Sequence, residues 1–242
     1  MATKKTDKKP ELSALAQRLS AQAGIMKKFD ASPKLDNVVG VRPTGLAVLD
    51  EEVFGVGGLP KGKIIEVMGK ESSGKTALAL TMAGLVQKSD PNAVVKIYDA
   101  EHSWTDQWGK SMGLDLTDYP IGDQTFRRTI LPTFRTAENM ADQIHQELAE
   151  APPDIIIIDS LAVLQPAQIV SKNVSDYNMN DNMARAAFLT RFFTSLLNGF
   201  LWPPGEVKNP HVSMDSSKTT LLCINHAKTR TVKAGGGTYT EW

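Results

Sequence analysis

Eight residues, Gly69-Lys70-Glu71-Ser72-Ser73-Gly74-Lys75-Thr76, constrain this chain more than any other part of it. They fit the pattern G-x-x-x-x-G-K-[ST] in full, and they stand between an apolar run at 63–68 that reads as a strand and a helical stretch at 75–88. Glycines let the backbone curl so that successive N–H groups point inward at an anion. The helix that follows turns its positive end on the same place. In such a cradle Lys75 reaches the β- and γ-phosphates of a nucleoside triphosphate, and the Thr76 hydroxyl ligates Mg²⁺. A glycine-rich turn with a solvated lysine would fit the eight letters alone, but it has no need of the strand before them and the helix after.

The rest of the chain repeats that alternation. Runs at 63–68, 94–98, 155–158 and 219–224 read as strands, and three of them are almost unbroken apolar, as parallel strands covered on both faces are. Helical patterns fill 75–88, 136–150 and 183–200. This order predicts an α/β domain. Each strand runs out into groups that can do chemistry: Gly69, then Asp99 and Glu101, then Asp159 and Ser160, then Asn225 and His226. Ligands of parallel α/β sheets bind just past the carboxyl ends of the strands. Asp159, delivered by four isoleucines, suits a carboxylate near Mg²⁺. Glu101 is a candidate general base that orients the attacking water. By spacing alone it could equally be a surface carboxylate near a helix start.

Composition narrows the partners. Lysine plus arginine and aspartate plus glutamate number 27 each, so any grip on nucleic acid must come from a local basic patch. The single cysteine, Cys223, excludes an internal disulfide framework and reads as a buried, inert thiol. The basic start has no apolar signal core behind it and no run is long enough to span a membrane, so a cytoplasmic protein is expected. Residues 1–10 read as a solvated tail. Leu12, Leu15, Ala16 and Leu19 then predict a helix to about residue 28, which either packs on its own domain or docks on a neighbouring subunit. The division expected is 1–35 for tail and helix, and 36–242 for the core. Phe188, Phe192, Phe193 and Phe200 fall at helical spacing and read as core. The proline-, asparagine- and serine-rich stretch 202–217 reads as a surface insertion.

Together these pieces resemble the RecA recombinase family over roughly residues 12–237. The resemblance is carried by TGLAVLDEEVFGVGGLPKGKIIEVMG before the phosphate loop, GKESSGKT itself, YDAEH around Glu101, IIIIDSLAVL around Asp159, and INH followed by GGG. The ending INH, where INQ is more usual, is similar to phage recombinases of the UvsX kind. The resemblance implies a core with a mostly parallel sheet flanked by helices, plus an N-terminal oligomerisation helix. It implies ATP and Mg²⁺, single- and double-stranded DNA, a helical homo-oligomeric filament, and homologous pairing and strand exchange in repair and recombination. Glu101 and Lys75 would be catalytic. Gly69, Lys70, Glu71, Ser72, Ser73, Gly74, Lys75 and Thr76 would hold ATP, with Trp108 near the adenine. His226 would sense the γ-phosphate, and Thr76 and Asp159 would serve the metal.

Two loops would face DNA. One is 165–183, with Met183, leading into a helix whose first turn includes Arg185. The other is 227–237, with Lys228, Arg230, Lys233, Gly235 and Gly236. In the family the sheet continues with further strands whose basic residues reach a neighbour's ATP. This sequence stops at Trp242, which raises the expectation of a truncated chain that binds ATP more readily than it hydrolyses it. Two other classes fit part of the pattern: a hexameric RecA-fold helicase-type ATPase, against which DAEH and the glycines after INH argue, and an ATP- or DNA-binding module without turnover.

Overall fold

Runs rich in β-branched residues, too short to make stable helices, extend as strands, and longer amphipathic stretches coil between them. The computed structural model of the chain describes residues 40–121, 123–176, 178–198, 214, 218–227, 230–234 and 237–241. The tail and helix expected at 1–35, most of the insertion at 202–217, and Phe200, Lys228, Gly235 and Gly236 lie outside them.

A short strand β1 (Val41–Arg42) pairs antiparallel with β2 (Leu59–Pro60), with a π-helical turn (Val48–Val53) between them. Then come β3 (Ile64–Gly69), α1 (Lys75–Ser89), β4 (Val95–Asp99) and α2 (Asp106–Ser111). A small hairpin, β5 (Tyr119–Ile121) and β6 (Gln124–Phe126), leads to β7 (Thr129–Ile130). Next are α3 (Ala137–Glu150), β8 (Ile155–Asp159), α4 (Ala167–Val170) and α5 (Met179–Asn198). The described chain closes with β9 (Thr220–His226), β10 (Arg230–Ala234) and β11 (Gly237–Glu241).

Five of these strands make one sheet in the order β3-β9-β8-β4-β7, every pair parallel. The central strand β8 is buried at all five residues. Because side chains alternate along a strand, its isoleucines serve two cores. Ile156 and Ile158 join Tyr98, Leu221 and Cys223 beneath α3 and α5, where Met140, Ile144 and Phe192 are fully buried. Ile155 and Ile157 join Val95, Ile97, Leu222 and Ile224 against Ala79, Leu80, Ala83 and Val86 of α1. The expected α/β architecture is therefore the one observed. Phe188 and Phe192 stack within the first core, with Phe193 packed partly buried against it. Burial at Cys223 pushes the thiol pKa up, as suits an inert cysteine. Among the described residues no helix is long and apolar enough to cross a membrane.

Three expectations change. Strands run further than their apolar cores, so that Asp99, Asp159 and His226 end within strands, held there by pairing with neighbours. The segment 165–183 is not irregular throughout. It contains α4, a 3₁₀ turn (Val174–Asp176) and the first turn of α5, so Arg185 lies in the second turn of that helix. Asp181 accounts for the early start: its carboxylate accepts the Asn178 amide and pairs with Lys172, closing the turn at the head of the helix. The segment 227–237, expected as a loop, carries a hairpin in which β10 pairs antiparallel with β11, from Arg230↔Glu241 to Ala234↔Gly237.

One close approach sets the seat of α1. A Cβ built at Gly84 would stand 2.7 Å from the backbone of Met112 and Gly113, so the loop after α2 lies directly on the helix. In an exposed helix, Gly→Ala would stabilise by about 1 kcal/mol. Here Gly84→Ala is expected to destabilise by about 1–3 kcal/mol, because backbone must shift. Urea unfolding of the two proteins measures it, and equal or greater stability of the variant would contradict this packing.

Candidate nucleotide-binding site

Parallel pairing brings the chemistry to one edge. Gly69 is in register with His226, and Asp99 with Asp159, so the loops after β3, β9, β8 and β4 leave the sheet side by side. The phosphate loop takes the conformations its glycines permit: Gly74 has φ 85° and caps α1 without a side-chain bond. At the other end of the loop, a Cβ on Gly69 would lie 2.8 Å from Ser73 Oγ. Lys75 is buried, and its ammonium folds back to donate to the Lys70 carbonyl at 2.7 Å. The Ala227 amide donates to Gly69 O at 3.0 Å and ties the end of β9 to the start of the loop.

Glu101 is tied to β8 through backbone and side chain alike. The amides of Ala100 and Glu101 both donate to Asp159 O, at 2.6 and 3.2 Å. Its Oε1 accepts from Ser160 Oγ at 2.6 Å and lies 2.8 Å from His226 Nε2. Partial burial acts to raise its pKa. The bonds from Ser160 and His226, with the charges of His226 and Lys75, outweigh that and hold it below the ordinary value. Glu101 is thus an ionised acceptor at neutral pH. The other ring nitrogen of His226, Nδ1, lies 4.0 Å from Glu71 Oε1 in the phosphate loop.

The pKa of Asp159 is shifted the other way. The residue is buried, and burial pushes its pKa up to about 6; the neighbouring carboxylates Glu101 and Asp99 add to this, while the Thr76 hydroxyl bond and His226 oppose it. Its Oδ1 is buried with no hydrogen-bond partner. Among the described residues no cluster of three or more His, Cys, Asp or Glu could hold a metal. Magnesium does not require one. It keeps much of its water shell and is held by one or two protein oxygens together with phosphate oxygens. An unpartnered Asp159 oxygen beside the Thr76 hydroxyl fits that demand, and a divalent cation there would offset the three crowded carboxylates.

These groups surround an open cleft of about 760 Å³, lined among others by Glu71, Lys75, Glu101, Trp108, Val163 and His226. That volume suits a nucleotide. Trp108 lies in the first turn of α2, where its amide donates to the capping Thr105 hydroxyl. The indole both lines the cleft and packs on the core beneath α1. The expected DNA residues stand elsewhere. Met183 is 69% exposed on α5, and Arg185 Nε donates to Leu164 O at 2.9 Å. Neither lines the cleft. Arg230 and Lys233 lie on β10. Sequence reading placed Ser160 at a strand end but gave it no role, and it missed the meeting of Glu101 with His226, 125 residues apart. No motif spacing encodes either contact.

The family model described as the RecA N-terminal domain matches residues 12–196. Protein RecA of Streptomyces coelicolor is 28% identical over 223 residues, covering 92% of this chain and 52% of that protein. Protein RecA of Fusobacterium nucleatum is 30% identical over 231 residues, covering 93% and 53%. Protein RecA of Treponema pallidum is 31% identical over 197 residues, covering 81% and 41%. The chain spans about half the length of the curated relatives it matches.

The raised pKa of Asp159 has a stability consequence with a definite sign. The folded protein holds this proton more tightly than the unfolded chain, whose value is near 3.8. Stability is therefore unaffected below that value and falls as pH rises through about 6. The cost is about 2–3 kcal/mol once the group is ionised. Without metal or nucleotide, Asp159→Asn is expected to be the more stable protein at about pH 8, with the advantage gone at about pH 4. Urea unfolding at both pH values tests this; an advantage that persisted in acid would refute the assignment.

Proposed function

The chain belongs to the RecA family, and from that premise we propose that it is a recombinase-type ATPase. It binds ATP with Mg²⁺, assembles as a helical filament on single-stranded DNA, takes up double-stranded DNA, and promotes homologous pairing and strand exchange in repair and recombination in the cytoplasm. The observation that carries the reading is Glu101: an ionised carboxylate, braced at one oxygen, on the wall of a cleft built from a complete phosphate loop.

In this reading Glu101 accepts a proton from water. The water oxygen bonds to the γ-phosphorus as the bond to the bridging oxygen breaks, and ADP and phosphate leave. Lys75 gives up its contact with the Lys70 carbonyl and turns to the β- and γ-phosphates. The residues 69–76 surround the phosphates, and Trp108 stacks on the base. Thr76 and Asp159 hold Mg²⁺, which when bound offsets phosphate charge. His226 touches Glu101 and heads the chain into 227–237, so a γ-phosphate that competes for its ring can change the pose of that segment. Lys228, Arg230 and Lys233, with the amides of Gly235 and Gly236, then hold DNA phosphates. Met183 and Arg185 belong to the first DNA-facing element, 165–183 and the helix it leads into, and the helix in 1–35 contacts the next subunit of the filament while 36–242 forms the core.

The first test is hydrolysis by the whole chain with and without single-stranded DNA. DNA is expected to stimulate it. Glu101→Gln should lower the rate by roughly 10²-fold or more while ATP still binds, and Lys75→Ala should weaken ATP binding itself. Turnover indifferent to DNA, or unaffected by Glu101→Gln, would sink the reading. Affinity for single-stranded DNA should also fall with salt. Lys233→Ala should lower the slope of log affinity against log salt by about 0.7, the value for one phosphate contact on a single strand. An unchanged slope would remove Lys233 from the interface.

A further inference from the structure

Ser160 is fully buried, yet its side chain meets a residue of the cleft wall, Glu101. It follows Asp159 through a cis peptide bond, and its Oγ lies 2.6 Å from Glu101 Oε1. An ionised carboxylate only accepts, so the hydroxyl donates. Such a charge-assisted bond is among the stronger ones a side chain makes. The backbones of the two residues are already held together, because Asp159 O accepts both Ala100 N and Glu101 N. The Ser160–Glu101 bond therefore closes a ring of contacts with little freedom left in it.

His226 meets the same oxygen, but on different terms. Its side chain is 19% exposed, its Nδ1 lies 4.0 Å from Glu71, and it stands at the end of β9 where the chain passes into 227–234. Its ring can be drawn away by a ligand, whereas the Ser160 hydroxyl, sealed from the cleft, cannot. Both described side-chain bonds to Glu101 fall on Oε1.

We propose that Ser160 is a positioning residue for Glu101, a constant brace on Oε1 that leaves Oε2 as the oxygen that takes the proton from water. The inference rests on the ATPase reading above. During turnover the water's proton passes to Oε2, its oxygen bonds to the γ-phosphorus, and the electron pair of the broken bond leaves on ADP. Ser160 touches neither water nor nucleotide; it fixes the pose from which Glu101 acts.

The test is Ser160→Ala in the whole chain, measured by DNA-stimulated ATP hydrolysis beside direct ATP binding. The expected result is a fall in kcat of roughly 10-fold, with ATP affinity within about twofold of the parent. Ser160→Cys, nearly isosteric and with a weaker donor, should fall between the two and covers the case in which the alanine variant folds poorly. In a Glu101→Gln background, Ser160→Ala should change the residual rate by less than about twofold, since the brace then has no base to hold. A kcat unchanged by Ser160→Ala would overturn the proposal. So would ATP affinity falling in step with kcat, or a full 10-fold loss repeated on top of Glu101→Gln. A parent chain that hydrolyses nothing overturns the ATPase reading first and this one with it, whereas active parent and unaffected variants overturn this one alone.

Discussion

Everything at the site depends on the in-register parallel pairing of β8 between β4 and β9. Parallel strands end on the same side of a sheet, so three polar turns that are far apart in sequence are forced to one edge. The pairing is possible only because both faces of β8 are covered. The four isoleucines that make the strand uninformative about face are the same four that let it sit in the middle, two facing α1 and two facing α3 and α5. Buried strands need no alternation of polar and apolar residues, and the polar residues are reserved for the ends.

At that edge, the pKa values of neighbouring carboxylates are driven in opposite directions by what touches them. Glu101 accepts two side-chain bonds and stays ionised. Asp159, deeper and with one oxygen left unpartnered, holds its proton up to about pH 6. Groups of the same chemistry at one edge of the sheet thereby acquire different acidities. The difference comes from burial and donors, and the surrounding backbone supplies both.

Much of this was legible in the sequence, for reasons that also mark where legibility stops. The phosphate loop is local, so its eight letters state its geometry, and the apolar runs around Val95, Ile157 and Leu222 state their burial. Strand ends were less legible: Asp99 and Asn225–His226 are extended because their neighbours pair with them, which hydrophobicity does not report. β7 is only two residues long and leaves no periodic trace. The glycines between β10 and β11 are a hairpin-turn signal, but the short, largely polar runs on either side of them do not read as strands. The start of α5 depends on Asp181 catching Lys172 and Asn178, a local bond with several alternatives in so polar a stretch. Contacts such as Ser160 to Glu101 are set by folding alone, since nothing in either neighbourhood names the other.

Trp108 joins the cleft to the interior, and that has a cost in local order. Its helix, α2, has only six residues, too few to hold together by its own hydrogen bonds. What keeps it wound is the Thr105 cap, the seat of Gly109 against the Trp104 ring, and the indole pressed partly into the core under α1. The other side of that indole faces open space. Of the elements around the cleft, α2 is then the one whose amides should exchange first with solvent, opening and closing while the sheet stays shut. A base lying on the indole would supply the missing side of its packing, so the arrival of a nucleotide would be recorded as slowed exchange in a helix that lies outside the phosphate loop.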